Sequence, residues 1–411
     1  MTYYYKLGEL PHKRHTQFRQ PDGSLYHEEV MGIHGFAGIQ SILYHIHPPT
    51  RVQKVEVVRR VEIPYEEQEH LRHRLIKTAA AEPGGDAVDA RVPVMGNSEV
   101  VLSIVRPTEP MSYWYRFAHG DEVIFVHDGT GILESQFGEL RYRSGDYLVI
   151  PTGVMWRILP DPVDQRMLVI EAFGHVEPPK RYLNRYGQFL EHSPFCERDI
   201  RTPERLVARD EAGEFEVRVK ARDRISRFLY GHHPLDVVGW DGHLWPYAFN
   251  IGDFEPITGR VHQPPPVHQT FDGPGFVICS FVPRLFDYHP QAIPAPYNHS
   301  NVDSDEVLYY VEGDFMSRKG VERASFTVHP NGVPHGPHPG TYEGSIGKQR
   351  TEELAVMVDT FRPLRITRFA REMEDDSYAY SWLQHHRPSA APAGAGSSGS
   401  PPPTTQRETR T

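Results

Sequence analysis

Tyr297-Asn298-His299-Ser300-Asn301-Val302-Asp303-Ser304-Asp305-Glu306 precedes an apolar run, Val307-Leu308-Tyr309-Tyr310-Val311, and Gly313 follows closely. Further on stand Ser325-Phe326-Thr327-Val328 and His329-Pro330-Asn331-Gly332-Val333-Pro334-His335. Both apolar runs are rich in β-branched and aromatic residues, the composition of buried strands. The first carries Glu306 at its start; the second leads into a Pro/Gly turn that delivers His335. Brought together, His299, Glu306 and His335 are two imidazoles and one carboxylate, the donor set associated with non-haem Fe(II) and oxygen. Any one of them alone reads as an ordinary loop or surface residue. Three of them in register with glycine and Pro-x-Gly punctuation favour a metal site.

The spacing resembles the metal motifs of the cupin superfamily, double-sheet jelly rolls whose barrel holds a metal. His299-x-Asn301, Glu306, Gly313 and Pro330-x-Gly332-x-x-His335 carry the resemblance. Two positions depart from it. Asn301 stands where the motif has a second histidine, and Ala324 where it has a glycine. Three protein ligands instead of four leave coordination positions open for substrate and oxygen.

A second copy of the punctuation lies upstream. Glu122 and Gly129 repeat the spacing of Glu306 and Gly313, and Pro151-x-Gly153-x-x-Trp156 repeats Pro330-x-Gly332-x-x-His335. Trp156 falls where His335 stands, and Tyr115 and Phe117 where His299 and Asn301 stand. Residues 91–175, a series of short strands between Gly, Asp and Pro turns, are therefore expected to form a metal-free barrel. His119 and His127 fall outside the ligand frame. Residues 236–385 are expected to form the metal-binding, catalytic barrel.

The fold class that follows is mainly β: two cupin-type jelly-roll barrels, a bicupin, with few short helices. Residues 1–90 are expected to be an irregular segment packing on the barrels, with a charged connector over 64–78 that could be helical. His45 and His47 sit on alternate positions of a strand, but no carboxylate stands at motif spacing, and they read as non-ligands. Residues 176–235 are a connector. Residues 386–411, rich in Pro, Ala, Gly, Ser and Thr, are expected to be a disordered tail.

The chain has 411 residues, a formal charge of −10, 24 histidines and two cysteines. That length suits two or three domains. The acidic balance and the lack of a Lys/Arg cluster argue against nucleic acid or an anionic membrane as partner. Cys196 and Cys279 suggest neither a disulfide framework nor a thiolate metal site. With no signal-like N-terminus and no apolar run of membrane-spanning length, a soluble cytoplasmic protein is expected.

The order of motifs is similar to that of the homogentisate 1,2-dioxygenase family over all but the tail. Ser24-Leu25-Tyr26-His27-Glu28-Glu29, Val238-Gly239-Trp240-Asp241-Gly242-His243 with Pro246-Tyr247, and the block over 297–338 carry that similarity. It implies cleavage of the homogentisate ring by O2 to maleylacetoacetate, in tyrosine and phenylalanine catabolism, with Fe(II) held by His299, Glu306 and His335. It also implies His262, in His262-Gln263-Pro264-Pro265, as the acid/base, with His268 as rival. Tyr297, Asn301, Phe315, Arg318 and His329 become candidate substrate-binding residues. The partners implied are a small aromatic substrate, O2 and further copies of the chain, in a trimer-based assembly such as a hexamer.

Some positions differ from the family's pattern. One more residue separates His299 from Glu306 than in animal members, and Phe315 and Arg318 replace a usual Tyr and Lys. Arginine still offers a cation to a carboxylate arm. His262 and His329 could instead cap turns beside their prolines. The alternatives are a cupin dioxygenase for another diphenol such as gentisate, which would typically keep the histidine that is Asn301 here, and a non-catalytic metal-binding bicupin sensor. A sugar-phosphate isomerase of this architecture would need a fourth ligand.

Overall fold

The computed structural model describes residues 3–313, 315, 318 and 320–383; the tail expected at 386–411 lies outside the described residues. The apolar runs upstream of residue 175 are strands: Val100–Val105, Trp114–Phe117, Glu122–Asp128, Asp146–Ile150, Met155–Pro160 and Arg166–Ala172. They divide between an eight-stranded and a seven-stranded sheet. Phe125, Tyr147 and Val169 of one sheet and Tyr115, Leu133 and Trp156 of the other belong to one buried apolar cluster. This is the sandwich arrangement in which inward-facing side chains of two sheets form the core.

The second barrel has one complete wall. Gln269–Gly273, Phe276–Phe281, Leu354–Thr360, Asp305–Glu312, Ser325–His329 and Arg74–Lys77 hydrogen-bond in that order. The other wall is a two-stranded ladder, Arg284–Leu285 with Arg350–Thr351, and loops drawn from residues 257–268 and 292–301. A cavity of about 390 Å³ lies between the walls. Helices are few, as expected: Thr341–Ser345 and Arg368–Glu372 are the α-helices among the described residues. No helix is long and apolar enough to cross a membrane.

Four expectations need correction. The first 90 residues are not irregular: Tyr5–Gly8, His27–Gly32 and Gln40–His45 build a four-stranded sheet with Val237–Gly242, and Val52–Arg60 edges the seven-stranded sheet. The connector over 64–78 holds the strand Arg74–Lys77, not an α-helix, because Leu75 and Ile76 bury against Ser325–His329. The charges that suggested a helix surface are paired instead, Arg72 and Arg74 with Glu374 at 3.0 and 2.7 Å. Likewise, the connector at 176–235 contains the hairpin Ala212–Ala221 with Arg224–His232, which extends the first barrel parallel to Trp114–Phe117. Residues 237–250, expected in the second barrel, pair with strands of the first half; Tyr247–Asn250 lies against Asp146–Ile150.

The internal repeat extends to pairing register. Tyr115 lies opposite Trp156 as His299 lies opposite His335, and Glu122 lies opposite Glu171 as Glu306 lies opposite Asp359. The turn conformations repeat as well. Gly129 and Gly313 have φ 108° and 102°, and a Cβ on Gly313 would come within 2.4 Å of the Glu352 carbonyl oxygen. Ala324, in the motif's glycine position, keeps the left-handed backbone at φ 57°, a conformation that costs a residue with a Cβ roughly 1–2 kcal/mol.

Where the second barrel has ligands, the first has a cation of its own. Arg91 Nη1 donates to Glu122 Oε1 at 2.7 Å and to Glu171 Oε1 at 3.1 Å. Its guanidinium lies 5.5 Å from the Tyr115 ring centre and 5.9 Å from that of Trp156, whose Nε1 donates to Glu122 Oε2. Lys220 adds a second ion pair to Glu171. Removing one partner from a buried ion pair strands the other charge, at a cost of about 3–5 kcal/mol. Arg91→Met should therefore lower stability to urea by that order, and Glu122→Gln in the same chain should recover part of the loss.

Candidate metal centre

His299 lies on a loop and His335 after the Pro330-Asn331-Gly332 turn, yet their backbones are locked together. The His299 N–H donates to the His335 carbonyl at 2.8 Å, and the His335 N–H to that of His299 at 2.9 Å. Each ring is then oriented through Nδ1, which donates to a carbonyl: Tyr297 O at 3.1 Å for His299, Val333 O at 3.2 Å for His335. A carbonyl only accepts, so each Nδ1 carries the proton and each Nε2 keeps its lone pair.

Both lone pairs converge on Glu306, at the start of its strand. His299 Nε2 and His335 Nε2 each lie 3.3 Å from Glu306 Oε2, and the three donor atoms fall within 4.8 Å of one another. His335 Nε2 is buried and makes no hydrogen bond of good geometry. A buried, orphaned lone pair aimed at a carboxylate and a second lone pair fits a divalent cation between them. Among the described residues no other cluster of three such groups occurs.

The carboxylate is held from behind. His329 Nδ1 donates to Glu306 Oε1 at 2.8 Å, and His329 Nε2 lies 3.2 Å from the Tyr378 hydroxyl. Burial pushes the His329 imidazole down to about 3, so it is neutral, a donor at Nδ1 and an acceptor at Nε2. Burial alone would raise the Glu306 carboxyl, but the imidazoles that face it, His299, His329 and His335, hold it well below the usual carboxylate range. The facing Glu306 carboxylate in turn raises His299. His73, from the N-terminal segment, donates to the Pro334 carbonyl and packs edge-on against His329 and His335. Trp382 Nε1 donates to the Gly336 carbonyl and stacks on His338 at 4.3 Å.

The cavity opens on one side of this triad. Leu308, Tyr310, Phe281, Ala355 and Met357 supply its apolar wall. The other residues singled out by sequence take several positions. His262 lines the cavity half-exposed, its Nδ1 3.4 Å from Asp287 Oδ2, and Tyr297 packs between it and His299 at ring distances of 5.0 and 5.9 Å. Asn301 Nδ2 reaches Glu306 Oε2 at 3.5 Å. Phe315 lines the cavity edge-on to Tyr310 at 4.4 Å. Arg318 also lines it, with Nη1 donating to the Gly336 carbonyl at 2.6 Å.

One assignment needs correction. His329 is fully buried and does not line the cavity, so it holds Glu306 and does not meet substrate. His268, the rival acid/base, does line it, but stacks flat on Phe281 at 4.5 Å, and burial pushes it down to about 3. Sequence reasoning missed Tyr378, Asp287 and Asp359. Asp359 had a signal, a carboxylate inside the apolar strand Leu354–Thr360. It lines the cavity, and burial, followed by the nearby Glu306 charge, raises it well above the usual range.

Residues 37–251 match the family model described as homogentisate 1,2-dioxygenase N-terminal. That match ends just after the strand Tyr247–Asn250. The chain is also 40% identical over 385 residues to a Saccharolobus solfataricus protein named "Putative dioxygenase SSO1533", covering 93% of this chain and 99% of that one. The chain belongs to the homogentisate 1,2-dioxygenase family. Among solved structures, a cupin 2 conserved barrel domain protein from Leptotrichia buccalis aligns over 74% of this chain and all of that one, at 10% identity and TM-score 0.33. Protein Ylba from E. coli aligns over 75% of this chain and 93% of that one, at 9% identity and TM-score 0.32.

Groups that orient metal ligands typically contribute 10- to 100-fold to metal affinity. His329→Ala should weaken divalent-metal binding by that factor and Tyr378→Phe by less, read by competition with a chromophoric chelator.

Proposed function

We propose that this protein is an Fe(II)-dependent, ring-cleaving dioxygenase that converts homogentisate and O2 to maleylacetoacetate. The observation that carries the reading is the set of two histidines and one glutamate, converging at the wall of a cavity that also holds His262, Tyr297 and Arg318. Membership of the homogentisate 1,2-dioxygenase family supports the reaction class. Bound Fe(II) supplies the one-electron chemistry that lets triplet O2 react with a closed-shell ring.

The chain's own residues do the rest. Nδ1–carbonyl hydrogen bonds fix both histidine tautomers before any metal arrives, and His329 fixes the carboxylate. Such preorganisation avoids a reorganisation cost during reaction. His262 is the general base for a phenolic proton of the substrate, with Tyr297 stacked edge-on beside it. Leu308, Met357 and Phe281 keep water from the ring. Arg318 is the cation for the acetate arm: a guanidinium has five N–H donors, of which one serves the Gly336 carbonyl and another Tyr310.

The test uses protein loaded anaerobically with Fe(II) and then mixed with homogentisate in air. O2 uptake matched by near-ultraviolet absorbance of a ring-opened product is expected, abolished in Glu306→Ala and reduced about 10²- to 10⁴-fold in His262→Ala. Uptake with gentisate or another diphenol, but not with homogentisate, would overturn the substrate. No uptake with any of them, in protein holding stoichiometric iron, would overturn the enzyme reading in favour of a binding protein.

A further inference from the structure

His262 stands on a loop, and a loop side chain makes a poor general base unless something holds it. Asp287 is the group placed to do so. One carboxylate meets three consecutive parts of that loop: Oδ1 accepts from the Gly259 N–H at 3.4 Å, Oδ2 accepts from the Gln263 N–H at 3.2 Å, and Oδ2 lies 3.4 Å from His262 Nδ1. The return contact is backbone to backbone, the Tyr288 N–H donating to the Gly259 carbonyl at 3.1 Å. Thr258 Oγ1 adds a hydrogen bond to the Leu285 carbonyl.

Asp287 is itself anchored. It follows the ladder Arg284–Leu285, which pairs with Arg350–Thr351, and the Phe286 N–H continues that ladder to the Gln349 carbonyl at 2.8 Å. Its side chain is one-fifth exposed, against one-half for His262, so the carboxylate is the more sheltered partner. The two nitrogens of an imidazole are distinct, and a carboxylate beside one of them fixes a proton there. Tyr297 packs edge-on against the same ring.

We infer that Asp287 is a positioning residue for His262: it holds the imidazole in the Nδ1–H tautomer, so that the Nε2 lone pair is the one offered to a substrate hydroxyl. The inference rests on the proposed role of His262. When the phenolic proton moves to Nε2, the ring becomes an imidazolium flanked by a carboxylate, the arrangement by which an aspartate serves a histidine base in hydrolases. At 3.4 Å the contact is within ion-pair reach and long for a hydrogen bond.

The experiment has two arms on the full chain. In the first, ¹⁵N-histidine spectra of the Zn(II)-loaded protein, with the His262 signals assigned from His262→Ala, report the tautomer without any turnover. The wild type should show Nδ1–H; Asp287→Asn and Asp287→Ala should both shift the population towards Nε2–H, the form favoured by free imidazole. In the second, Fe(II)-loaded Asp287→Asn should lose about 10- to 100-fold in kcat with KM changed less than two-fold, as an orientation defect requires. An unchanged tautomer in both variants would overturn the inference. So would a loss in KM alone, which would mark Asp287 as a loop strut. Full activity in His262→Ala, with the tautomer still responding to Asp287, would overturn the role of His262 in the reaction and with it the catalytic meaning of the pair.

Discussion

The site depends on one reciprocal contact, the pair of backbone hydrogen bonds between His299 and His335. Neither residue lies in a long strand, and each belongs to a stretch rich in turn residues. Two hydrogen bonds in opposite directions fix both Cα–Cβ vectors to one side, and the Nδ1–carbonyl bonds then fix the rings. Both Nε2 lone pairs are left facing the carboxylate of Glu306, a neighbour that without a metal has to be shared between them. Buried polar groups without partners are costly, and this cluster concentrates that cost at one point, where a divalent cation relieves it.

The two barrels answer the same electrostatic problem in different ways. Each buries a carboxylate at the start of a strand, opposite a second carboxylate one position from the end of the neighbouring strand: Glu122 with Glu171, Glu306 with Asp359. A buried carboxylate needs a counter-charge. In the first barrel Arg91 and Lys220 provide it permanently, and Trp156 and Tyr115 seal the cluster. In the second, histidines stand in the aromatic positions, and the donor set there fits a divalent cation. Four side chains, Arg91, Lys220, Trp156 and Tyr115, set the first barrel apart, while the turns and the register are the same in both.

Much of this was legible in the sequence. His299, Glu306 and His335 sit at spacings set by turns that only certain backbones can make, so Gly313 and Pro330-x-Gly332 mark the ligands as clearly as the ligands themselves. The strands were visible as apolar runs. What stayed hidden depends on partners far away in the chain. Arg72 and Arg74 looked like the surface of a helix because their partner is Glu374, and Val237–Gly242 looked like the start of the second barrel because its pairing with Gln40–His45 leaves no local trace. The family resemblance offers His329 as a substrate contact; its register opposite Glu306 turns it to the back of the carboxylate. Tyr378 and Asp287 contact residues remote in sequence, and nothing in composition or periodicity distinguishes them from surface residues.

The central claim is that His299, Glu306 and His335 hold one iron at the cavity wall. Diffraction at the iron absorption edge, from crystals loaded anaerobically with Fe(II), tests it most directly. A single anomalous peak within coordination distance of His299 Nε2, His335 Nε2 and a Glu306 oxygen, with its remaining positions facing Tyr297 and His262, is the result predicted. A peak elsewhere, such as on the surface histidines, or no peak in protein that catalyses the reaction, would contradict it.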